Sequence, residues 1–244
     1  MNSFYDKLSD RRQKRLAVLV DPDKYDDDST EELIRHLNQT PPDLILVGGS
    51  LLLNPIELTI AALKLGTQLP VFIFPGSVLQ LSDRADGILF LSLISGRNPE
   101  FLIGSHVLAA PHIDRAGMEV IPTGYILIEN GRSTSVEYMS NTKPIPADKV
   151  ELAVATAMAG EMLGLKALYL EAGSGAAGTV SNPMISAIRK KTTLPLIVGG
   201  GIHTAEKAIE VYRAGADMIV VGTAIEQQPS MVRDFAEARI SFKA

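Results

Sequence analysis

The chain has 244 residues, a formal net charge of -5 and no cysteine. The length predicts one large domain over residues 1–244. The acidic net charge excludes a broad positive surface that would bind nucleic acid or an anionic membrane. The absence of cysteine excludes disulfides and thiolate metal sites. The polar N-terminal stretch lacks the pattern of a secretory signal, and the apolar runs are too short for a membrane-spanning helix, so we expect a cytoplasmic protein that binds small molecules.

Short apolar runs alternate along the chain with longer amphipathic segments, which is the pattern of repeated strand and helix units. Eight runs are typical of strands buried on both faces: 16–20, 44–47, 71–74, 87–91, 119–121, 167–170, 196–198 and 218–221. Six segments are predicted to be helices, and the connections after the third and fourth strands show no clear pattern: 29–38, 55–65, 147–163, 182–191, 205–214 and 230–240. A capping box of Ser29 with Glu32 predicts where the first helix begins, and Gly164 and Gly215 predict two helix ends.

Eight such units favour a closed (β/α)8 barrel of the TIM type, although a doubly wound open sheet would give similar local patterns. An open sheet concentrates small and polar residues at one switch point, whereas here they follow nearly every strand. They include Asp21-Pro22-Asp23, Gly48-Gly49-Ser50, Pro75-Gly76-Ser77, Glu171-Ala172-Gly173, Gly199-Gly200-Gly201 and Gly222-Thr223. We therefore predict a barrel with its site at the C-terminal face. The segment 125–146 is longer than an ordinary loop and is expected to form a lid or an extra hairpin.

Glycine-rich turns follow the seventh and eighth predicted strands. Gly200 and Gly201 lie in the first turn, and Gly222 and Thr223 lie in the second. Glycines let backbone N–H groups approach an anion, and the N-termini of the following helices add positive potential, so no lysine is required. One such turn would only relieve crowding, but two turns at this place in a barrel predict a phosphate site.

The sixth predicted strand ends in Tyr169-Leu170-Glu171-Ala172-Gly173-Ser174-Gly175. Alternation along a strand puts Tyr169 and Glu171 on the same side, where both can face a pocket. Glu171 could hold substrate hydroxyls or accept a proton, or it could simply pair with a neighbouring cation. Ser174 and the glycines would extend the phosphate site.

Asp21 and Ser50 end the first and second predicted strands, which are neighbours in a barrel. Adjacent strands lie about 4.8 Å apart, so the two oxygen donors are close enough to share Mg²⁺, which prefers phosphate oxygens as further ligands. Asp-Pro-Asp also forms ordinary turns, so this motif alone does not decide whether a metal ion binds here. The acidic run at residues 26–28 is interpreted as favouring a helix start rather than as a metal motif.

Together these motifs resemble the geranylgeranylglyceryl phosphate synthase family, in order over nearly the whole chain. The resemblance rests on five runs: Leu19-Val20-Asp21-Pro22-Asp23-Lys24, Leu46-Val47-Gly48-Gly49-Ser50, Phe72-Ile73-Phe74-Pro75-Gly76, the run from Tyr169 through Gly175, and Val198-Gly199-Gly200-Gly201-Ile202. It is closer to the subgroup with Gly-Gly-Ser after the second strand. Some members carry a lysine where this chain has Leu19.

The resemblance implies a lipid-biosynthetic enzyme that joins a polyprenyl diphosphate, geranylgeranyl diphosphate above all, to sn-glycerol 1-phosphate. The reaction would form an ether and release diphosphate with the help of Mg²⁺. The resemblance places the metal on Asp21 and Ser50, assigns catalysis to Glu171 with Asp21, and implies a homo-oligomer, either dimer or hexamer. It places glycerol phosphate on Tyr169, Leu170, Glu171, Ala172, Gly173, Ser174, Gly175, Gly200, Gly201, Gly222 and Thr223.

Two other functions stay open on the sequence. Another phosphate-binding barrel enzyme, a sugar-phosphate isomerase or aldolase, would share the glycine turns but would need a Schiff-base lysine or an acid–base pair at the strand ends. Lys24 is the only lysine near a predicted strand end. A barrel that binds phosphate without catalysis is the second alternative function.

Overall fold

The computed structural model describes residues 3–242, and its eight parallel strands close into a barrel in chain order. The strands are β1 (Arg15–Val20), β2 (Leu44–Val47), β3 (Val71–Ile73), β4 (Gly87–Leu93), β5 (Glu119–Leu127), β6 (Ala167–Glu171), β7 (Leu196–Gly199) and β8 (Met218–Val221). The barrel predicted from the sequence is thus confirmed. β8 pairs with β1, which brings the two ends of the strand order together.

Ten α-helices lie within residues 3–242: α1 (Phe4–Ser9), α2 (Asp27–Gln39), α3 (Ile56–Gly66), α4 (Gly104–Ala116), α5 (Ser135–Ser140), α6 (Val150–Met162), α7 (Asn182–Arg189), α8 (Ala205–Ala214), α9 (Thr223–Gln227) and α10 (Val232–Ile240). The six predicted helices are all present. Gly215 caps α8 with a φ of 125° and Gly164 follows α6 with a φ of 88°, as predicted. No helix in this range is long and apolar enough to cross a membrane.

The capping box predicted at the start of the first long helix was wrong. α2 is capped by Asp26, whose carboxylate accepts the Ser29 N–H at 2.9 Å, while the Ser29 hydroxyl accepts the Asp26 N–H at 2.9 Å. Ser29 therefore occupies the third helical position rather than the cap. The acidic run does favour the helix start, because a carboxylate satisfies an N–H group that the helix itself leaves unpaired.

β5 runs six residues beyond its predicted end at Ile121. Pro122 follows this predicted end, and proline cannot donate a hydrogen bond to a strand ladder. The ladder between β5 and β6 starts only at Thr123 opposite Ala167, so the missing N–H of Pro122 removes no bond to β6. The extension carries Tyr125 to a position opposite Tyr169, at the top of the barrel.

Two connections depart from the regular alternation. No α-helix follows β3, and residues 74–86 run as a loop to β4. The segment 125–146, expected to be a lid or a hairpin, contains the end of β5 and the helix α5, so the hairpin was wrong. Ile128 and Ile145 in this segment form a parallel bridge, and Val136 of α5 faces the cavity at the top of the barrel.

The core has two layers, one inside the barrel and one between the strands and the outer helices. The barrel interior is closed at its N-terminal end by α1, which the sequence had not suggested. Phe4 packs on Phe72 with ring centroids 5.4 Å apart, and the Glu119 carboxylate accepts the N–H groups of Phe4 and Tyr5 at 2.8 and 2.7 Å. With this end sealed, the open space lies at the C-terminal face.

Candidate active site

A cavity of about 380 Å³ lies at the C-terminal ends of the strands, where TIM barrels place their active sites. It brings together ten of the residues predicted from the sequence: Asp21, Ser50, Tyr169, Glu171, Ser174, Gly175, Gly200, Gly201, Gly222 and Thr223. These residues come from β1, β2, β6, β7, β8 and the turns that follow them. Motifs that lie far apart in the chain thus form one site.

Three residues predicted to bind substrate do not line this cavity. Leu170 and Ala172 are buried in the layer between the strands and the helices, because alternation along β6 turns them away from Tyr169 and Glu171. Gly173 donates its N–H to Glu171 Oε1 at 2.6 Å, so it holds the carboxylate instead of facing the cavity. These three residues lie outside the cavity lining, and their role in substrate binding stays a prediction.

Glu171 is the buried carboxylate of the cavity, with a side chain that is 6% exposed. Burial raises its pKa to about 7, even though the Gly173 N–H and the hydroxyls of Tyr125 and Tyr169 favour the charged form. A carboxylate with this pKa can take up a proton near neutral pH and release it again. The observed environment therefore suits an acid–base group and not a surface ion pair.

Aromatic rings form the wall beside Glu171. Tyr125 stacks on Tyr169 with centroids 5.3 Å apart, and Phe74 packs on Tyr169 at 5.2 Å. Gly199 makes this wall possible, since a Cβ at that position would collide with the Tyr169 hydroxyl. Sequence reasoning missed Tyr125 because it ended the fifth strand too early.

The glycine turns after β7 and β8 line the cavity, where their backbone N–H groups can approach an anion. Gly200 and Gly201 have φ values of 79° and 67°, in the left-handed region that favours glycine. A Cβ on Gly200 would also overlap the Glu171 carboxylate. After β8, Gly222 caps α9 without any side-chain hydrogen bond, so the first amides of this helix stay open for a ligand.

Asp21 and Ser50 follow β1 and β2, which are paired neighbours, and both line the corner of the cavity above these strands. Asp21 Oδ1 accepts the Asp23 N–H at 3.0 Å, and a Cβ built on Gly49 would lie 3.3 Å from the other carboxylate oxygen. Burial raises the pKa of Asp21. Glu226, which sequence reasoning did not single out, also lines this part of the cavity.

An apolar channel leads outward from this corner. It consists of two adjoining cavities that share Pro75, Gly76, Leu91 and Phe101. The inner part begins at Ser50 and Phe74, and the outer part ends at His106 and Ala109 of α4. The channel occupies the space above β3 and β4 where the regular alternation would place a helix. An elongated apolar group can therefore extend from the polar cavity into the barrel wall.

The closed barrel and the cavity at its C-terminal face define a TIM-barrel protein with a site for a small molecule beside an apolar channel. The sequence model of the PcrB family matches residues 9–239 of this chain. The chain therefore belongs to the PcrB family, and the resemblance expected from its motifs is confirmed.

Three relatives illustrate the similarity. A protein from Spirosoma linguale named geranylgeranylglyceryl phosphate synthase is 50% identical over 231 residues, which are 94% of this chain and 92% of the relative. A protein of the same name from Korarchaeum cryptofilum is 40% identical over 246 residues, covering 99% of this chain and 100% of the relative. The crystal structure of (S)-3-O-geranylgeranylglyceryl phosphate synthase from Thermoplasma acidophilum, in complex with its substrate sn-glycerol-1-phosphate, superimposes with a TM-score of 0.92 at 31% identity. It covers 100% of this chain and 99% of that one.

Proposed function

We propose that this protein transfers a polyprenyl group, geranylgeranyl above all, from its diphosphate to sn-glycerol 1-phosphate. The product is an ether-linked prenylglyceryl phosphate, and diphosphate is released. The observation that carries the proposal is the buried Glu171 carboxylate, which lies between the glycine turns and the mouth of the apolar channel. The Thermoplasma acidophilum relative binds sn-glycerol 1-phosphate, which supports the choice of acceptor.

The acceptor half of the site is the side formed by β6, β7 and β8. The phosphate would be bound by the amides of the turns at Gly200, Gly201, Gly222 and Thr223, with Ser174 and Gly175 closing the other side. Binding one end of the small acceptor in this way directs its hydroxyl groups toward Glu171. Positioning the nucleophile removes much of the entropic cost of a reaction between two molecules.

The donor half is the corner of Asp21 and Ser50 with the apolar channel behind it. A prenyl diphosphate has a charged head and an apolar tail, and the cavity offers oxygen ligands next to an apolar channel in the same order. Asp21 and Ser50 supply hard oxygen donors of the kind that Mg²⁺ prefers. When bound, the cation would neutralise the charge that develops on the leaving diphosphate.

The transfer then needs one proton to move. One of the two free hydroxyls of glycerol phosphate attacks the first carbon of the allylic tail, the bond from that carbon to diphosphate breaks, and the proton of the attacking hydroxyl passes to Glu171. The hydroxyls of Tyr125 and Tyr169 and the Gly173 N–H keep the carboxylate oriented. The aromatic wall formed by Phe74, Tyr125 and Tyr169 shields the reacting carbon from water.

The proposal is tested by incubating the protein with sn-glycerol 1-phosphate, Mg²⁺ and prenyl diphosphates of several lengths, with products identified by mass spectrometry. We expect a prenylglyceryl phosphate and an equal amount of diphosphate. sn-Glycerol 3-phosphate serves as the control acceptor and should react poorly. Absence of any prenylated product with every donor would refute the proposed reaction.

The exposed position of Lys24 disfavours an aldolase function. A Schiff-base lysine needs a buried or cation-flanked environment that lowers its pKa, whereas Lys24 is exposed at the rim of the cavity. Borohydride trapping with sugar phosphates checks this directly, since a covalent adduct on Lys24 would favour the aldolase. A homo-oligomer, dimer or hexamer, and a cytoplasmic location stay predictions, and light scattering would measure the first.

A further inference from the structure

Glu226 places a second carboxylate on the side of the cavity that Asp21 lines. Its backbone N–H bonds to the Gly222 carbonyl at 3.0 Å in the short helix α9, and the side chain turns back over the β8 turn. A Cβ built on Gly222 would lie 3.7 Å from Glu226 Oε1 and 3.5 Å from the Cβ of Leu19. Because β8 pairs with β1, this position is next to the strand that ends at Asp21.

The charges at this corner do not balance without a cation. Within residues 3–242 neither carboxylate has a basic side chain within 4.0 Å, and the Glu226 carboxylate takes part in no hydrogen bond. The Tyr25 hydroxyl is buried nearby without a hydrogen-bond partner. Two carboxylates without a cationic side chain thus line the cavity where phosphate would add further negative charge.

We propose that Glu226 is a further carboxylate for the divalent cation assigned above to Asp21 and Ser50. It would hold this cation near the phosphate oxygens bound at the β8 turn. The positive charge of one cation would then act on both the acceptor half and the donor half of the site. Mg²⁺ is commonly bound by one or two carboxylates together with substrate phosphates, and the described residues offer no group of three or more acidic, His or Cys side chains as an alternative. The inference rests on the proposed function, because the cation site belongs to it.

A purely structural role for Glu226 is a poor explanation of these contacts. A structural carboxylate would be paired with a cation or a backbone N–H group, as Glu119 is with the N–H groups of Phe4 and Tyr5. Glu226 has no such partner and lines the same cavity as Asp21, Gly222 and Thr223. Its half-buried and unpaired state is explained if its partner is a bound ion.

The test measures cation binding directly, by titrating Mn²⁺ alone, and Mn²⁺ with inorganic diphosphate, against the purified protein and following the free ion by electron paramagnetic resonance. Glu226→Gln should weaken Mn²⁺ binding about 10-fold to 100-fold, and Glu226→Asp should lie between this variant and the unmodified protein. Glu151→Gln makes the same chemical change at an exposed position on α6 and should leave Mn²⁺ binding unchanged. Thermal melts establish that each variant is folded.

The outcomes separate this inference from the proposed function. Unchanged Mn²⁺ affinity in Glu226→Gln, or no Mn²⁺ binding by the unmodified protein, would overturn the role of Glu226. Product formation by the unmodified protein is measured separately. Weaker Mn²⁺ binding by Glu226→Gln, together with no prenyl transfer by the unmodified protein, would uphold the cation ligand and refute the reaction. Normal prenyl transfer with unchanged Mn²⁺ affinity in the variant would refute the ligand alone.

Discussion

The buried carboxylate of Glu171 should make the stability of this protein depend on pH. An unfolded chain exposes this group to water, where its pKa is near 4.5, while burial in the barrel raises the pKa to about 7. The folded state therefore binds the proton more tightly than the unfolded state does. The stabilisation from this proton is fully present below about pH 4.5 and is lost as the pH rises through about 7.

The size of the effect follows from the two pKa values. Each unit of difference corresponds to about 1.4 kcal/mol, so the charged carboxylate costs about 3 kcal/mol of folding free energy at alkaline pH. The side chain is almost fully buried, so solvent does not screen this cost. Glu171→Gln should remove it, because an amide has a similar shape and carries no charge. The variant should melt roughly 6–12 °C above the unmodified protein at alkaline pH.

The measurement is urea unfolding at several pH values between about pH 5 and about pH 8.5, followed by circular dichroism. The free energy of unfolding of Glu171→Gln minus that of the unmodified protein should grow by about 2.5 kcal/mol over this range. Glu151→Gln is the control, since this exposed carboxylate should give a difference that does not change with pH. The same Glu171→Gln variant should lose activity by about 10²-fold to 10⁴-fold, because it cannot accept the hydroxyl proton.

Two results would refute this reasoning. A difference in unfolding free energy that is constant with pH would show that Glu171 titrates as it does in water. A fully active Glu171→Gln variant would show that another group accepts the proton. A variant that is both more stable and inactive would show that the Glu171 carboxylate serves the reaction and lowers the stability of the fold.

Three further changes test other parts of the site. Ala109→Trp fills the outer apolar channel and should shift the preferred donor to shorter prenyl diphosphates. Ala110→Trp, at an exposed position on the same helix, should not change this preference. Equal chain-length profiles of the two variants by mass spectrometry would contradict the assigned channel. Gly200→Ala adds a Cβ against Glu171 at a φ of 79° and should lower kcat/KM about 100-fold and stability by about 1–3 kcal/mol; near-normal kinetics would show that the turn tolerates displacement. Asp21→Asn should lower the apparent affinity for Mg²⁺ about 10-fold to 100-fold in the transfer assay while the melting curve stays cooperative; an unchanged Mg²⁺ dependence would remove Asp21 from the metal site.

The sequence predicted the barrel and most of the cavity because both depend on local patterns. Continuous apolar runs mark strands buried on both faces, and in a parallel barrel the residues that follow them must meet at one end. This is why Asp21, Ser50, Glu171 and Gly200 could be placed together without a structure. Alternation along β6 also predicts that Leu170 and Ala172 face away from the cavity that Tyr169 and Glu171 line.

Other parts depended on distant contacts that no local pattern contains. The continuation of β5 through Pro122 depends on where the neighbouring strand begins, so the position of Tyr125 could not be deduced from its own segment. Glu226 lies in a helix after the last strand and becomes part of the site only because β8 closes against β1. The apolar channel exists because no helix follows β3. Sequence patterns indicate where a helix forms, but they do not indicate that a channel forms where a helix is missing.

The loop that replaces the helix after β3 separates two properties of the protein. Residues 74–86 contain no helix and bond to α3 only near their C-terminal end, through Ser82, Arg84 and Asp86. The part of this loop that lines the channel can therefore change while the strand ends that carry Asp21 and Glu171 keep their register. If the reaction is as proposed, ether formation is set by the barrel, and the size of the lipid tail is set by this connection and α4. Tail length could then diverge among relatives through changes in one stretch of chain, with the chemistry left intact.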